Sequence, residues 1–179
     1  MLVMVSCIGH QIPEGTWIDS TDERTMVHIK QNQGKFWMEV EDRAGLRDPL
    51  EIAVEGHELF VILNHRKASL KMPLAIRDGG ESLRFREMEY IPFSQSWKGR
   101  FAGHWKAISG KMEFQVRLDE NIDLIWDIVT EENKPIRFWP KRTEDGFYFT
   151  RDNDVWSFSI TDGIMVDRDG NRYKKVSDM

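Results

Sequence analysis

Apolar and polar side chains alternate one by one in short runs along this chain, and a period of two puts one set on each face of a β-strand. In the run from Lys111 to Leu118, Met112, Phe114, Val116 and Leu118 are expected to face a core while Glu113, Gln115 and Arg117 face water. Ala68, Leu70, Met72, Leu74 and Ile76 form a second inward set, and Pro73 among them marks an edge position or a bulge. Phe36, Met38 and Val40 form a third. Trp37 then lies on an otherwise polar face between Lys35 and Glu39, so it is expected to be exposed or covered by another part of the chain. No stretch of a dozen residues has helical periodicity; only 93–100 has room for a short turn.

Turn chemistry connects these runs, because Asp-Gly and related pairs adopt the positive φ angles that two-residue hairpins require. In the C-terminal third, Phe147–Thr150, Val155–Ile160, Ile164–Val166 and Arg172–Val176 are separated by Asp152-Asn153-Asp154, Asp162-Gly163 and Asp169-Gly170-Asn171. That spells a four-stranded meander. Asn32-Gln33-Gly34, Glu55-Gly56 and Asp78-Gly79-Gly80 do the same in the first half. The expected fold class is all-β, an antiparallel meander.

The pattern occurs twice. Gly15-Thr16-Trp17 returns as Gly103-His104-Trp105, the Pro49-led apolar strand as the Pro135-led one, and the Gly56–Phe60 strand as Gly146–Phe149. The expected organisation is an apolar segment over 1–12, a first half over 13–94 and a second over 99–179.

The Gly-x-Trp motif followed by alternating strands resembles the first barrel strand of lipocalins and of the short lipocalin-like, calycin-type modules of bacteria. The resemblance implies a β-barrel in each half, with Gly15 and Gly103 letting the backbone pass close and Trp17 and Trp105 closing one barrel end. In lipocalins an Arg from the last strand covers the Trp; Arg172 stands at that place in the second half, and no counterpart is evident for Trp17.

Composition narrows the function. A net charge of −5 with acidic and basic residues interleaved opposes a nucleic-acid partner. The one cysteine, Cys7, has no partner for a disulfide or a thiolate metal site. Its setting, Met1–Gly9, is apolar and short, and Val5-Ser6-Cys7 resembles the end of a bacterial lipobox. Two readings follow: export with a lipid anchor at Cys7, or a first strand or tail of a cytoplasmic protein. No later segment approaches a membrane-spanning length.

Catalytic signatures are missing. The histidines are scattered, Asp167–Asn171 reads as a hairpin turn rather than a calcium loop, and no nucleophile elbow or phosphate-cradling loop occurs. The chain is therefore expected to be no enzyme and to need no cofactor or metal. Its seven Trp and ten Phe remain to be used. They either fill the cores or line a site for a small apolar ligand, with Trp37, Trp126, Trp156, Phe149 and Phe158 as the candidates. The alternative is a structural or accessory domain with filled cores that binds another protein through an exposed sheet face.

Overall fold

A computed structural model describes residues 12–65, 68–77, 79–129 and 135–178; Cys7 and its apolar segment lie outside these. The described chain is all-β, two antiparallel meanders, with a 3-10 turn at Phe93–Gln95 and one short helix, α1 (Trp97–Phe101). No helix among the described residues is long and apolar enough to cross a membrane. Contacts divide the chain into one unit running to Glu41 and over Leu46–Pro92, and a second made of Asp42–Gly45 and the chain from Phe93 onward.

The first unit contains β1 (Gly15–Asp19), β2 (Met26–Asn32), β3 (Lys35–Asp42), β4 (Gly45–Leu46), β5 (Leu50–Glu55), β6 (Glu58–His65), β7 (Ala68–Arg77), β8 (Ser82–Phe85) and β9 (Met88–Pro92). Consecutive strands pair, and β9 returns to pair with β1, so eight strands close into a barrel with β4 added beside β3. Closure removes the free sheet edges. The Gln33-Gly34 turn, with φ of 51° and 77°, joins β2 to β3 as the tight hairpin its residues require.

The alternation holds here, but strands outrun the core. Met38 is buried while Phe36 and Val40 are only partly so. In β7, Leu74 is buried, Met72 and Ile76 are half-buried, and Leu70 and Ala68 are exposed, because the β6–β7 hairpin continues past the end of the core. Pro73 is also not on an edge strand. The strand β7 pairs on both flanks, but β8 reaches only as far as Leu74, so the flank beside Pro73 is locally open.

The second unit contains β10 (Gly103–Ala107), β11 (Glu113–Leu118), β12 (Leu124–Val129), β13 (Ile136–Phe138), β14 (Lys141–Arg142), β15 (Gly146–Arg151), β16 (Asp154–Thr161), β17 (Ile164–Asp167) and β18 (Arg172–Ser177). The order follows the first unit, and β18 returns to β10 as β9 returns to β1. Here the ring does not close. The sheet is a half-barrel that ends at β13 on one side and β14 on the other.

Proline placement explains the difference. In the first unit Pro49 precedes β5, which then pairs with both β3 and β6. In the second, Pro140 falls inside the corresponding strand. Having no N–H to give to a ladder, it splits the strand. The part before it, β13, stays with β12; the part after it, β14, goes to β15.

The two Gly-x-Trp motifs take the same conformation. Gly15 and Gly103 both have φ of 136°, outside the ordinary range of side-chain-bearing residues. A Cβ on Gly103 would also sit 2.7 Å from the Ser177 carbonyl, whereas one on Gly15 would meet nothing. Trp17 and Trp105 are both buried. Trp105 Nε1 donates to the Phe101 carbonyl at 2.7 Å, and Lys175 Nζ lies 5.4 Å from its ring centroid. Lys175, and not the exposed Arg172, therefore covers this ring; a bulge in the β10–β18 pairing between His104 and Trp105 sets Lys175 opposite it.

The second core is aromatic. Phe114, Trp126, Phe147 and Phe158 are almost wholly buried and pack with centroids 4.5 to 5.8 Å apart. Val116 is buried as expected, but Met112 precedes β11 and is 42% exposed.

Candidate binding cleft at the open seam

The split strand leaves backbone unpaired on two facing elements. Among the described residues the flank of β13 away from β12 has no partner strand, and β14 pairs only with Phe147 and Tyr148, which leaves Thr150 as the β15 residue past them whose backbone groups face that side. Beneath this gap the Phe138 and Phe149 rings stack at 4.3 Å and 15°, and Trp156 stacks on the far side of Phe149. Ring packing thus closes the interior where the hydrogen-bond ladder is missing.

Over the gap lies a cleft of about 310 Å³ lined by Arg137, Phe138, Trp139, Lys141, Tyr148, Phe149 and Thr150. Trp139, 61% exposed, is the one aromatic residue among the large exposed apolar side chains of the described residues. Among the described residues two cationic side chains line the cleft and no carboxylate does. Arg137 and Trp139 also border an adjoining cleft of about 500 Å³, whose other walls are Arg117, Asp119, Glu120, Asn121 and Ile125.

The guanidinium of Arg137 is held from behind. Its Nε donates to Asp127 Oδ1 at 2.8 Å, Arg117 Nε donates to Asp127 Oδ2 at 3.1 Å, and the Asp127 side chain is nearly covered. Hydrogen bonding to Asp127, and then its charge, raise the already high pKa of Arg137. Arg137 is thus a permanent cation with a fixed orientation. Lys141 is exposed and, among the described residues, has no ion-pair partner. The loop behind the adjoining cleft is also set: Asp119 accepts from the amides of Asn121 and Asp123, and Lys98 Nζ donates to the carbonyl of Ile122 at 2.6 Å. Ile122 sits at φ of 61°, unusual for a β-branched residue.

Of the residues expected from the sequence to line a ligand site, Phe149 lines the smaller cleft and the other four lie outside it. Trp126, Phe149 and Phe158 are buried against each other, and Trp156 is half-buried at the end of their stack with Arg168 5.8 Å from its ring centroid. Trp37 is half-buried on the outer face of β3, paired across the sheet with Lys30 and Glu51. Trp139 was missed. The signal was present in Pro135 and Pro140, which bracket a strand too short to serve two neighbours.

The Asp167–Asn171 turn is a closed hairpin. The Asp167 carboxylate accepts from the amides of Asp169 and Asn171, from Asn171 Nδ2 and from the Tyr173 hydroxyl. Burial opposes its ionisation, but these donors outweigh burial and hold its pKa below the usual carboxylate value. A depressed pKa stabilises the fold at pH above the unfolded value of about 3.9 and stops doing so as pH falls through the lower folded value. Asp167→Ala is expected to cost roughly 1–3 kcal/mol at pH 7 by leaving buried donors unpaired. Urea unfolding at pH 7 and pH 3 checks this: the gap between wild type and variant should narrow in acid, and a pH-independent gap would contradict it.

The sequence matches no protein-family model and no curated protein.

Proposed function

We propose that this chain is a non-catalytic binding protein, lipocalin-like in both halves, that takes its partner on the open seam of the second half. The observation that carries the reading is Trp139, exposed beside Arg137 and Tyr148 where the sheet has free edges. Trp, Tyr and Arg are the residue types that most often dominate binding energy, and a free edge presents backbone groups ready to pair. The aromatic packing of the second core favours this surface over an interior ligand there. A small apolar ligand is the second reading and belongs to the first barrel, where the apolar inward row of β7 runs on to exposed Leu70.

A displayed random-peptide library panned on the intact protein tests the reading. Enriched peptides should bind Trp139→Ala at least about 30-fold more weakly, the size of a hot-spot loss near 2 kcal/mol. Peptides that bind the variant equally well would overturn it. A palmitate titration read by tryptophan emission tests the second reading, and saturable quenching abolished by Leu70→Glu would support it.

A further inference from the structure

We infer that the larger cleft beside Trp139 is a sugar site: a neutral hexopyranose stacks one face on the exposed indole and places its hydroxyls among Arg117, Asp119, Glu120, Asn121 and Arg137. The inference rests on the seam being the capture site, since Trp139 and Arg137 border both clefts, and it names what the partner presents there. Two observations carry it. First, the larger cleft, about 500 Å³, has walls that are polar in both senses. Arg117 and Arg137 bring only donors, Asp119 and Glu120 only acceptors, and Asn121 both. A hydroxyl donates and accepts, so a polyhydroxylated ring can satisfy all of them, whereas an apolar ligand would strip them of water and return no hydrogen bond. Charge selects neither sign. Two cations and two carboxylates line the cleft and Asp127 stands behind the cations, so an ionised ligand would meet like charge as well as unlike.

These groups are also set before any ligand arrives. Asp127 fixes both guanidiniums. Asp119 Oδ1 accepts from the amides of Asn121 and Asp123, both at 2.9 Å, which leaves Oδ2 to an outside hydroxyl. Lys98, itself buried, holds the same loop through the Ile122 carbonyl. Such order favours a ligand whose hydrogen bonds only replace those it made to water. Second, the one large exposed aromatic side chain of the described residues borders this wall. A pyranose carries C–H groups on its faces and hydroxyls around its rim. The electron-rich face of an indole suits the first, and the polar side chains suit the second. Strand addition is not the better account, because past β14 only Thr150 of β15 turns its backbone groups to the open flank.

The probe is a glycan array carrying neutral oligosaccharides beside their sialylated and sulfated forms, incubated with the labelled full chain; dense display offsets weak single-site affinity. The neutral oligosaccharide bound best is then titrated free in solution by calorimetry. Neutral glycans should bind, and sialylation or sulfation should not improve them. Trp139→Ala should weaken the free oligosaccharide about tenfold or more and Asn121→Ala about threefold or more, both with an unchanged thermal midpoint, while Trp139→Tyr keeps most of the affinity. Preference for the sialylated or sulfated forms would overturn the neutral assignment, and a Tyr variant as weak as the Ala variant would overturn stacking. An array with no bound glycan, or binding that survives Trp139→Ala, would overturn the inference. The peptide selection judges the seam separately: peptides lost with Trp139→Ala while no glycan binds leave the seam as the site and the sugar wrong, whereas peptides indifferent to Trp139 beside an empty array sink both.

Discussion

Truncation of either motif tryptophan is expected to unfold its unit under mild conditions: Trp17→Ala and Trp105→Ala should each cost roughly 3–5 kcal/mol. Both rings are buried, and domains of this size have only about 5–15 kcal/mol to lose. The two should not be equal. Trp105 donates to Phe101 and is covered by Lys175, while Trp17 Nε1 has no hydrogen-bond partner among the described residues. Conversion to Phe separates ring from N–H. Trp105→Phe should cost about 1 kcal/mol more than Trp17→Phe, because it leaves the Phe101 carbonyl without this donor. Chemical unfolding of the four variants provides the measurement. A neutral Trp17→Ala would show that only the second motif is structural.

The second large effect is expected at Trp126. Its ring lies within 4.5 to 6.2 Å of Phe114, Phe147, Phe149 and Phe158, so Trp126→Ala opens an apolar void and should cost roughly 3–5 kcal/mol. Its Nε1 has no partner among the described residues, so little of that loss is hydrogen bonding. Such a void accepts an aromatic guest. Indole should raise the melting temperature of Trp126→Ala in a concentration-dependent way and leave wild type unchanged, since a ligand that binds only the folded state stabilises it by mass action. Equal stabilisation of wild type would mean that its core already has room, and would return the interior to consideration as a ligand site.

These residues also show what the sequence could and could not convey. Strand rhythm and hairpin turns are local, so the C-terminal meander was legible nearly to the residue: the expected Val155–Ile160 strand is β16, Asp154–Thr161. Inward alternation was legible for Phe114 and Val116. It misled for Leu70 and Met112, where parity says which way a side chain points but not whether the core extends that far. The cation over Trp105 is Lys175, three residues past Arg172, because register is fixed by pairing rather than by spacing.

The site was the least legible part. Aromatic residues attract attention wherever they alternate, which points to Trp126 and Phe158 in the core as readily as to Phe149, whose ring reaches the cleft. Trp139 stands outside any alternating run. Its exposure depends on the absence of a β13–β15 ladder, a long-range pairing that Pro140 prevents.

Amide hydrogen exchange, with and without the tightest peptide from the library selection, tests the account most directly. Protection is expected to rise at Thr150 and within 136–138, on the facing flanks of the seam, while the paired strands of the first barrel stay unchanged. Protection confined to the first barrel, with the seam amides exchanging as before, would contradict the account.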